Sequence, residues 1–316
     1  MPLIQTVFMG TADIAVPLLR ELSADAGIDL AFVVSQPDRP KGRKLKLQPT
    51  PIKSAAAELG MQVHQPEKCR SPEFLEQLRG WAPDVIVVMA YGQILPQALL
   101  DIPVHGCLNV HTSILPKYRG AAPIQWAIWN GDSKTGVSIM KMDAGMDTGD
   151  IVAVERIPIG REDNAQSVYE RLGQLGARLM RRTLSKFVDG NIELQPQDHS
   201  HATHARKITK EDGRLDWSRP ATDLWNQIRA LTPWPGTYCQ WTVGERAMRL
   251  KIWRAEAVAG PAVAPGQVMK ADREGLIVTC GAGCLRILEL QKEGGKRLPF
   301  REFIAGNRLR PGSQLS

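Results

Sequence analysis

The chain has 316 residues, of which 43% are hydrophobic and 23% charged, a globular balance that excludes a disordered chain. Its longest apolar run, Val85–Tyr91, is seven residues, far short of the roughly 18 that a membrane span needs. The net charge of +7 is unevenly placed: residues 1–206 hold 22 Lys+Arg against 22 Asp+Glu, and residues 207–316 hold 18 against 11. A neutral part joined to a basic part fits a chemistry domain carrying a domain for a polyanion; a solvated basic surface accounts for the same numbers. No basic residue precedes Arg20, so no secretory signal is expected. Five sparse cysteines, an odd number without pattern, suit a reducing cytoplasm better than a disulfide framework.

Leu3–Phe8 is an apolar, β-branched-rich run and the first expected strand, with a helical stretch over 12–22 after it. Leu30–Ser35 is the second strand. Thr50 before Pro51, and Ser71 before Pro72, each have the form of an N-cap followed by proline at the first helical position. Val85–Ala90 suits a strand buried on both faces, and Cys107–His111 is another. Two strands follow from Gly136 and Ile151, then a long helix from about Ala165 to Val188. The alternation predicts an α/β domain with a mostly parallel sheet covered by helices. Residues 190–208 are polar and weakly periodic, a linker between domains 1–189 and 209–316. The last part starts with a short helix over 221–231. Five short β-like segments with Gly and Pro between them then predict a small all-β barrel of the OB type.

Gly10 closes the first strand, but a G-x-G-x-x-G fingerprint counted from it meets Ala12 and Ala15. Without the second glycine the backbone cannot approach a pyrophosphate closely, which argues for a plain strand-to-helix turn. The segment GCLNVHTSILPKYRGAAPIQW carries more information. Asn109 and His111 are two apart at a strand's carboxyl end, so they share a face where ligands bind in open parallel sheets. An amide and an imidazole projecting together there suit a developing oxyanion. KMDAGMDTGDI brings Asp143, Asp147 and Asp150 into one loop, and a carboxylate from it can orient His111 or accept a proton through water.

Five of the eight residues from Arg39 to Lys46 are basic: Arg39, Lys41, Arg43, Lys44 and Lys46. They interrupt a connection that ought to be short, and long loops tend to be functional; a solvated surface loop is the plain alternative. In MRLKIWR, Met248, Leu250 and Ile252 alternate with Arg249, Lys251 and Trp253. One face fits the barrel core, and the other is either a backbone-contacting row for RNA or a charge-protected edge. His199, His201 and His204 have no companion ligands at zinc spacing, so no metal is expected. Trp217, Trp225, Trp234 and Trp241 read as core anchors of the second domain.

With these motifs in view, the chain resembles the methionyl-tRNA formyltransferase family nearly end to end. The likeness is carried by FMGTADIAVPLL, SQPDRPKGRKLKLQPTPIK, the segment around Asn109, TGVSIMKMDAGMDTGDI, IRALTPWPG and GNRLRPG. The Asn-x-His and distal Asp belong to all folate-dependent formyltransferases, whereas the basic loop, IRALTPWPG and the basic barrel are specific to the tRNA branch. The resemblance implies a Rossmann-like catalytic domain followed by an OB-like tRNA-binding domain. It implies transfer of the formyl group of 10-formyltetrahydrofolate to the α-amine of initiator methionyl-tRNA, yielding N-formylmethionyl-tRNA for translation initiation. Family catalysis falls on Asn109, His111 and Asp147, and the folate-contacting segment on Ser113, Ile114, Leu115 and Pro116, with Ile114 in place of a usual Leu. Arg43, with Lys41, Lys44 and Lys46 beside it, falls on the loop that enters the acceptor stem, and Arg249 and Lys251 are the expected barrel contacts. A cytoplasmic monomer, binding folate and tRNA without metal or membrane, is the expectation. A formyltransferase for a sugar-nucleotide amine would share Asn109, His111 and Asp147 without needing the basic elements.

Overall fold

The apolar runs assemble into a seven-stranded sheet in the order Ile151–Pro158, Lys134–Lys141, Cys107–His111, Val85–Met89, Ile4–Gly10, Ile28–Val34, Val63–His64. The computed structural model describes residues 2–41, 46–243, 246–261, 263–272, 274–307 and 309–316. From Cys107–His111 to Val63–His64 every pairing is parallel. Lys134–Lys141 and Ile151–Pro158 instead form an antiparallel hairpin laid antiparallel on Cys107–His111. Their connection, residues 142–150, is too short for a parallel crossover, which takes about a dozen residues or more. All five residues of the central strand Val85–Met89 are buried, which explains a run with no polar alternation.

The helix starts follow the expected chemistry. Thr50 Oγ1 accepts the Lys53 amide at 3.1 Å and Ser71 Oγ accepts the Phe74 amide at 3.3 Å, each cap being worth about 1 kcal/mol. Gly10 pairs with Met89 in the sheet, and a Cβ there would sit 2.8 Å from the Phe8 ring and 3.1 Å from the Met89 carbonyl. The glycine therefore serves a close strand approach. The basic segment, expected as a loop, begins and ends as a two-stranded hairpin, Arg39–Lys41 against Lys46–Gln48. Asp38 anchors its base by accepting Lys53 Nζ at 2.7 Å and Gln65 Nε2 at 2.8 Å. Arg43 and Lys44 lie outside the described residues.

The chain forms two compact units, Met1–Pro123 with Lys134–Pro158 and Tyr169–Ala205, and Ile124–Ser133 with Ile159–Val168 and Arg206–Ser316. Of residues 190–208, read from the sequence as linker, the stretch 190–205 belongs to the first unit and is hydrogen-bonded along it. Gln195 bridges Ile151, and His204–Ala205 pairs in parallel with Arg119–Gly120.

In the second unit the strands run in the order Thr237–Val243, Arg246–Val258, Cys284–Lys292, Gly275–Thr279, Val268–Asp272, all antiparallel, with Arg297–Pro299 added on Cys284–Lys292. The carboxyl-terminal tail closes this sheet into a barrel. Leu315 bridges Trp241 at one edge while Gln314 bridges Gln267 at the other, so the tail covers part of each edge. Leu250, Ile252, Leu276, Val278, Leu285 and Ile287 fill the interior with Phe300 and Phe303. Trp217 and Trp241 are core anchors and Trp225 packs against the same core. Trp234, by contrast, is 53% exposed. It lies between Pro233 and Pro235 in a turn, outside the strands whose alternation would face it inward. All five cysteines are buried free thiols, and burial pushes Cys107, Cys239 and Cys280 up to about 12, which leaves them inert.

Candidate active site

Strand alternation sets the site. Leu108 and Val110 are buried in the sheet, while Asn109 and His111 share the other face, about 7 Å apart along the strand. Asn109 is half-buried, and its amide has no hydrogen-bond partner among the described residues. His111 is almost fully buried and is held on both sides. Its Nε2 lies 2.9 Å from the Tyr118 carbonyl, and its Nδ1 lies 3.6 Å from Asp147 Oδ2. A carbonyl only accepts, so Nε2 carries a proton. The 3.6 Å gap is longer than a direct hydrogen bond and leaves the carboxylate within one short displacement of the ring.

Only one of the three loop aspartates turns to the histidine. Asp143 accepts the Gly145 amide at 3.0 Å and the Thr148 hydroxyl at 2.6 Å, a local turn at the surface. Asp147 adopts a left-handed backbone (φ 54°), a conformation short polar residues tolerate best, and its Oδ2 accepts the Gly120 amide at 2.8 Å. The segment after the strand is built inward. Ser113 is fully buried and donates to the Lys117 carbonyl at 2.6 Å. Ser138 Oγ donates to the Ser113 carbonyl at 2.8 Å and accepts the Leu115 amide at 3.0 Å. Leu115 packs with Met140 and Ile151. Ser113 and Leu115 thus shape the loop, and the partly open side chains are Ile114 and Pro116.

Sequence reasoning missed Tyr118, Arg119, Ser138 and Gln197. Gln197 is 7% exposed and donates to the carbonyls of Asp147 at 2.9 Å and Gly149 at 2.7 Å. The only sequence signal was a polar residue in a stretch without periodicity. Tyr91 is buried with a hydroxyl that has no partner among the described residues, and burial holds that hydroxyl well above its ordinary range. Among the described residues no group of three or more His, Cys, Asp or Glu gathers as a metal site. His201 pairs with Asp198 at 2.9 Å, and His199 Nδ1 accepts from Arg119 at 3.0 Å.

The barrel carries a basic row of its own. Arg249 stacks over Tyr238 at 4.3 Å, and Lys251 and Arg297 lie over Trp253 at 5.3 and 5.1 Å. Leu250 and Ile252 point into the core between them, as the alternation requires. Lys46 is exposed on the hairpin of the first unit.

Residues 4–184 match the family described as formyl transferase, and residues 207–308 match the formyl transferase C-terminal domain. The methionyl-tRNA formyltransferase of Geobacter sulfurreducens is 49% identical over 312 residues, covering 99% of this chain and 96% of the relative. That of Caldanaerobacter subterraneus subsp. tengcongensis is 46% identical, covering 98% and 99%. Among solved structures, an N-formyltransferase from Helicobacter canadensis, crystallised with folinic acid and dTDP-3-aminofucose, aligns with a TM-score of 0.63. It is 18% identical, covers 92% of this chain and all of the other, and so shares the fold. No helix among the described residues is long and apolar enough to cross a membrane. Two family matches and near-half identity along almost the whole length lead to one conclusion: the chain belongs to the methionyl-tRNA formyltransferase family.

Proposed function

We propose that this chain transfers the formyl group of 10-formyltetrahydrofolate to the α-amine of initiator methionyl-tRNA, producing N-formylmethionyl-tRNA for translation initiation. The observation that carries the reading is the end-to-end likeness to methionyl-tRNA formyltransferases, barrel included. The donor set suits a formyl carrier, because an uncommitted amide lies two residues from a histidine backed by a carboxylate. Folate is a substrate here, and the site calls for no metal.

An esterified amino acid lacks its carboxylate, so its ammonium releases a proton more readily than a free amino acid does. The harder tasks are stabilising the oxyanion and taking a proton from the attacking nitrogen, which becomes cationic as its bond to the formyl carbon forms. Asn109 donates to the oxyanion; losing such a donor typically costs about 10²–10³ in rate. His111 keeps Nε2–H on the Tyr118 carbonyl, so Nδ1, with Asp147 across from it, is the nitrogen that exchanges a proton. With a proton on Nδ1, His111 donates to the oxyanion from that edge, and Asp147 balances the charge. The proton then passes, directly or through water, to N10 of the departing folate. Ile114 and Pro116 supply apolar surface beside the reacting centre.

The basic segment of the sequence, with Lys41, Arg43, Lys44 and Lys46, reaches the acceptor stem, and Arg249 and Lys251 contact phosphates from the barrel. The enzyme works as a cytoplasmic monomer. The test is to incubate the protein with 10-formyltetrahydrofolate and either methionyl-tRNA or deacylated tRNA, following release of tetrahydrofolate. Release only with methionyl-tRNA is expected. Release without an amine acceptor, or only with a sugar-nucleotide amine, would overturn the proposal.

A further inference from the structure

The segment 197–205 touches both members of the His111–Asp147 pair through their backbone supports. On the aspartate side, Gln197 Nε2 donates to the Asp147 carbonyl at 2.9 Å and to the Gly149 carbonyl at 2.7 Å. The Gln197 amide oxygen is fixed in turn by Arg119, whose Nη2 donates to it at 2.6 Å and Nε at 3.2 Å. All the hydrogen-bonding capacity of this buried amide is therefore directed to one end: setting the loop that carries Asp147. On the histidine side, Thr203 Oγ1 accepts the Tyr118 amide at 2.8 Å, and the Thr203 carbonyl accepts the Arg119 amide at 2.8 Å. The Tyr118 carbonyl is the acceptor for His111 Nε2. Residues His204–Ala205 then pair with Arg119–Gly120, and it is the Gly120 amide that donates to Asp147 Oδ2.

Asp147 holds a left-handed backbone conformation, which persists only where the surroundings over-determine it. Those surroundings are the Gly120 amide on its side chain and Gln197 on its main chain. We propose that this segment is the positioning device of the site, with Gln197 as the positioning residue that sets Asp147 against His111. Gln197 reaches no reacting atom; it acts through Asp147. The inference rests on the catalytic reading given above, in which Asp147 and His111 handle the proton.

The experiment measures formyl transfer to methionyl-tRNA for Gln197→Ala, Gln197→Glu, Asp147→Asn and the double variant Asp147→Asn/Gln197→Ala. Misplacing a catalytic group by about 1 Å can cost about 10²-fold. Gln197→Ala is expected to lower kcat by about 10–100-fold, with KM for both substrates within about 3-fold of wild type. Gln197→Glu keeps the size of the side chain and its acceptor for Arg119 but cannot donate to the two carbonyls. It is expected to be as slow, even where its thermal unfolding matches wild type. In the Asp147→Asn background, Gln197→Ala is expected to add less than about a 3-fold loss, because the group it positions no longer acts. If Asp147→Asn is slow but Gln197→Ala is not, or if the two losses multiply in full, the positioning proposal is overturned and the catalytic reading stands. If Asp147→Asn itself turns over normally, the catalytic reading falls and the positioning proposal with it.

Discussion

Asp147 Oδ2 accepts the amide of Gly120 at 2.8 Å while lying 3.6 Å from His111 Nδ1. One carboxylate oxygen thus ties the loop after the strand Cys107–His111 to the loop of the antiparallel hairpin. The histidine comes from that strand, Cys107–His111, and the aspartate from the turn of the hairpin laid beside it. The parallel sheet supplies the carboxyl-end position, and the hairpin brings an acid to it from a distant part of the sequence.

Gly120 leaves no room for a side chain in this arrangement. Its φ is 115°, and a Cβ would lie 2.8 Å from the Ala205 carbonyl and 3.0 Å from the His204 ring. Gly120→Ala is expected to destabilise the first unit by about 1–3 kcal/mol and to displace the amide that holds Asp147. Denaturant unfolding and turnover check it: both fall together. Unchanged stability would mean that the backbone has room the geometry denies.

Asp212 makes the stability of the second unit acid-sensitive. The paired guanidinium of Arg206, at 2.8 Å through Nη1, with the Thr209 amide at 2.7 Å, holds its carboxyl down at about 2 against an ordinary 3.8. A depressed folded value means stability present above the unfolded value and lost as pH falls through the folded one. Discounted for the half-exposed arginine, the contribution is about 1–2 kcal/mol. The stability difference between wild type and Asp212→Asn is expected to be constant above about pH 5 and to shrink between about pH 4 and pH 2. A pH-independent difference would contradict this.

The barrel's basic row gives a salt test. If Arg249 and Lys251 each neutralise a phosphate, Arg249→Ala and Lys251→Ala each reduce the slope of log K for tRNA against log salt by about 1. Folate affinity is expected to stay the same. Wild-type binding that is flat between low and physiological salt would remove the barrel from the RNA interface.

Much of this was legible beforehand because the signals are local. Thr50–Pro51 and Ser71–Pro72 announce helix starts through cap chemistry, and both caps form. Asn109 and His111 share a face because strand alternation has a period of two. Which of Asp143, Asp147 and Asp150 would turn to His111 was open to the residues alone. It depends on a left-handed turn and on the Gly120 amide, 27 positions away. Gln197 was invisible for the same reason, since its partners are two carbonyls near 50 positions away and composition says only "polar". The antiparallel hairpin, the barrel-closing tail at Gln314–Leu315 and the exposure of Trp234 are likewise matters of long-range pairing or of a proline turn, where periodicity carries no information.

The central claim is that an amide at Asn109 and the His111–Asp147 pair together stabilise and discharge the oxyanion of formyl transfer. Turnover of Asn109→Ala, His111→Ala and Asp147→Asn with 10-formyltetrahydrofolate and methionyl-tRNA both saturating tests it most directly. The account predicts that each variant slows by about 10²–10³-fold while binding both substrates. Near wild-type turnover in all three would contradict it.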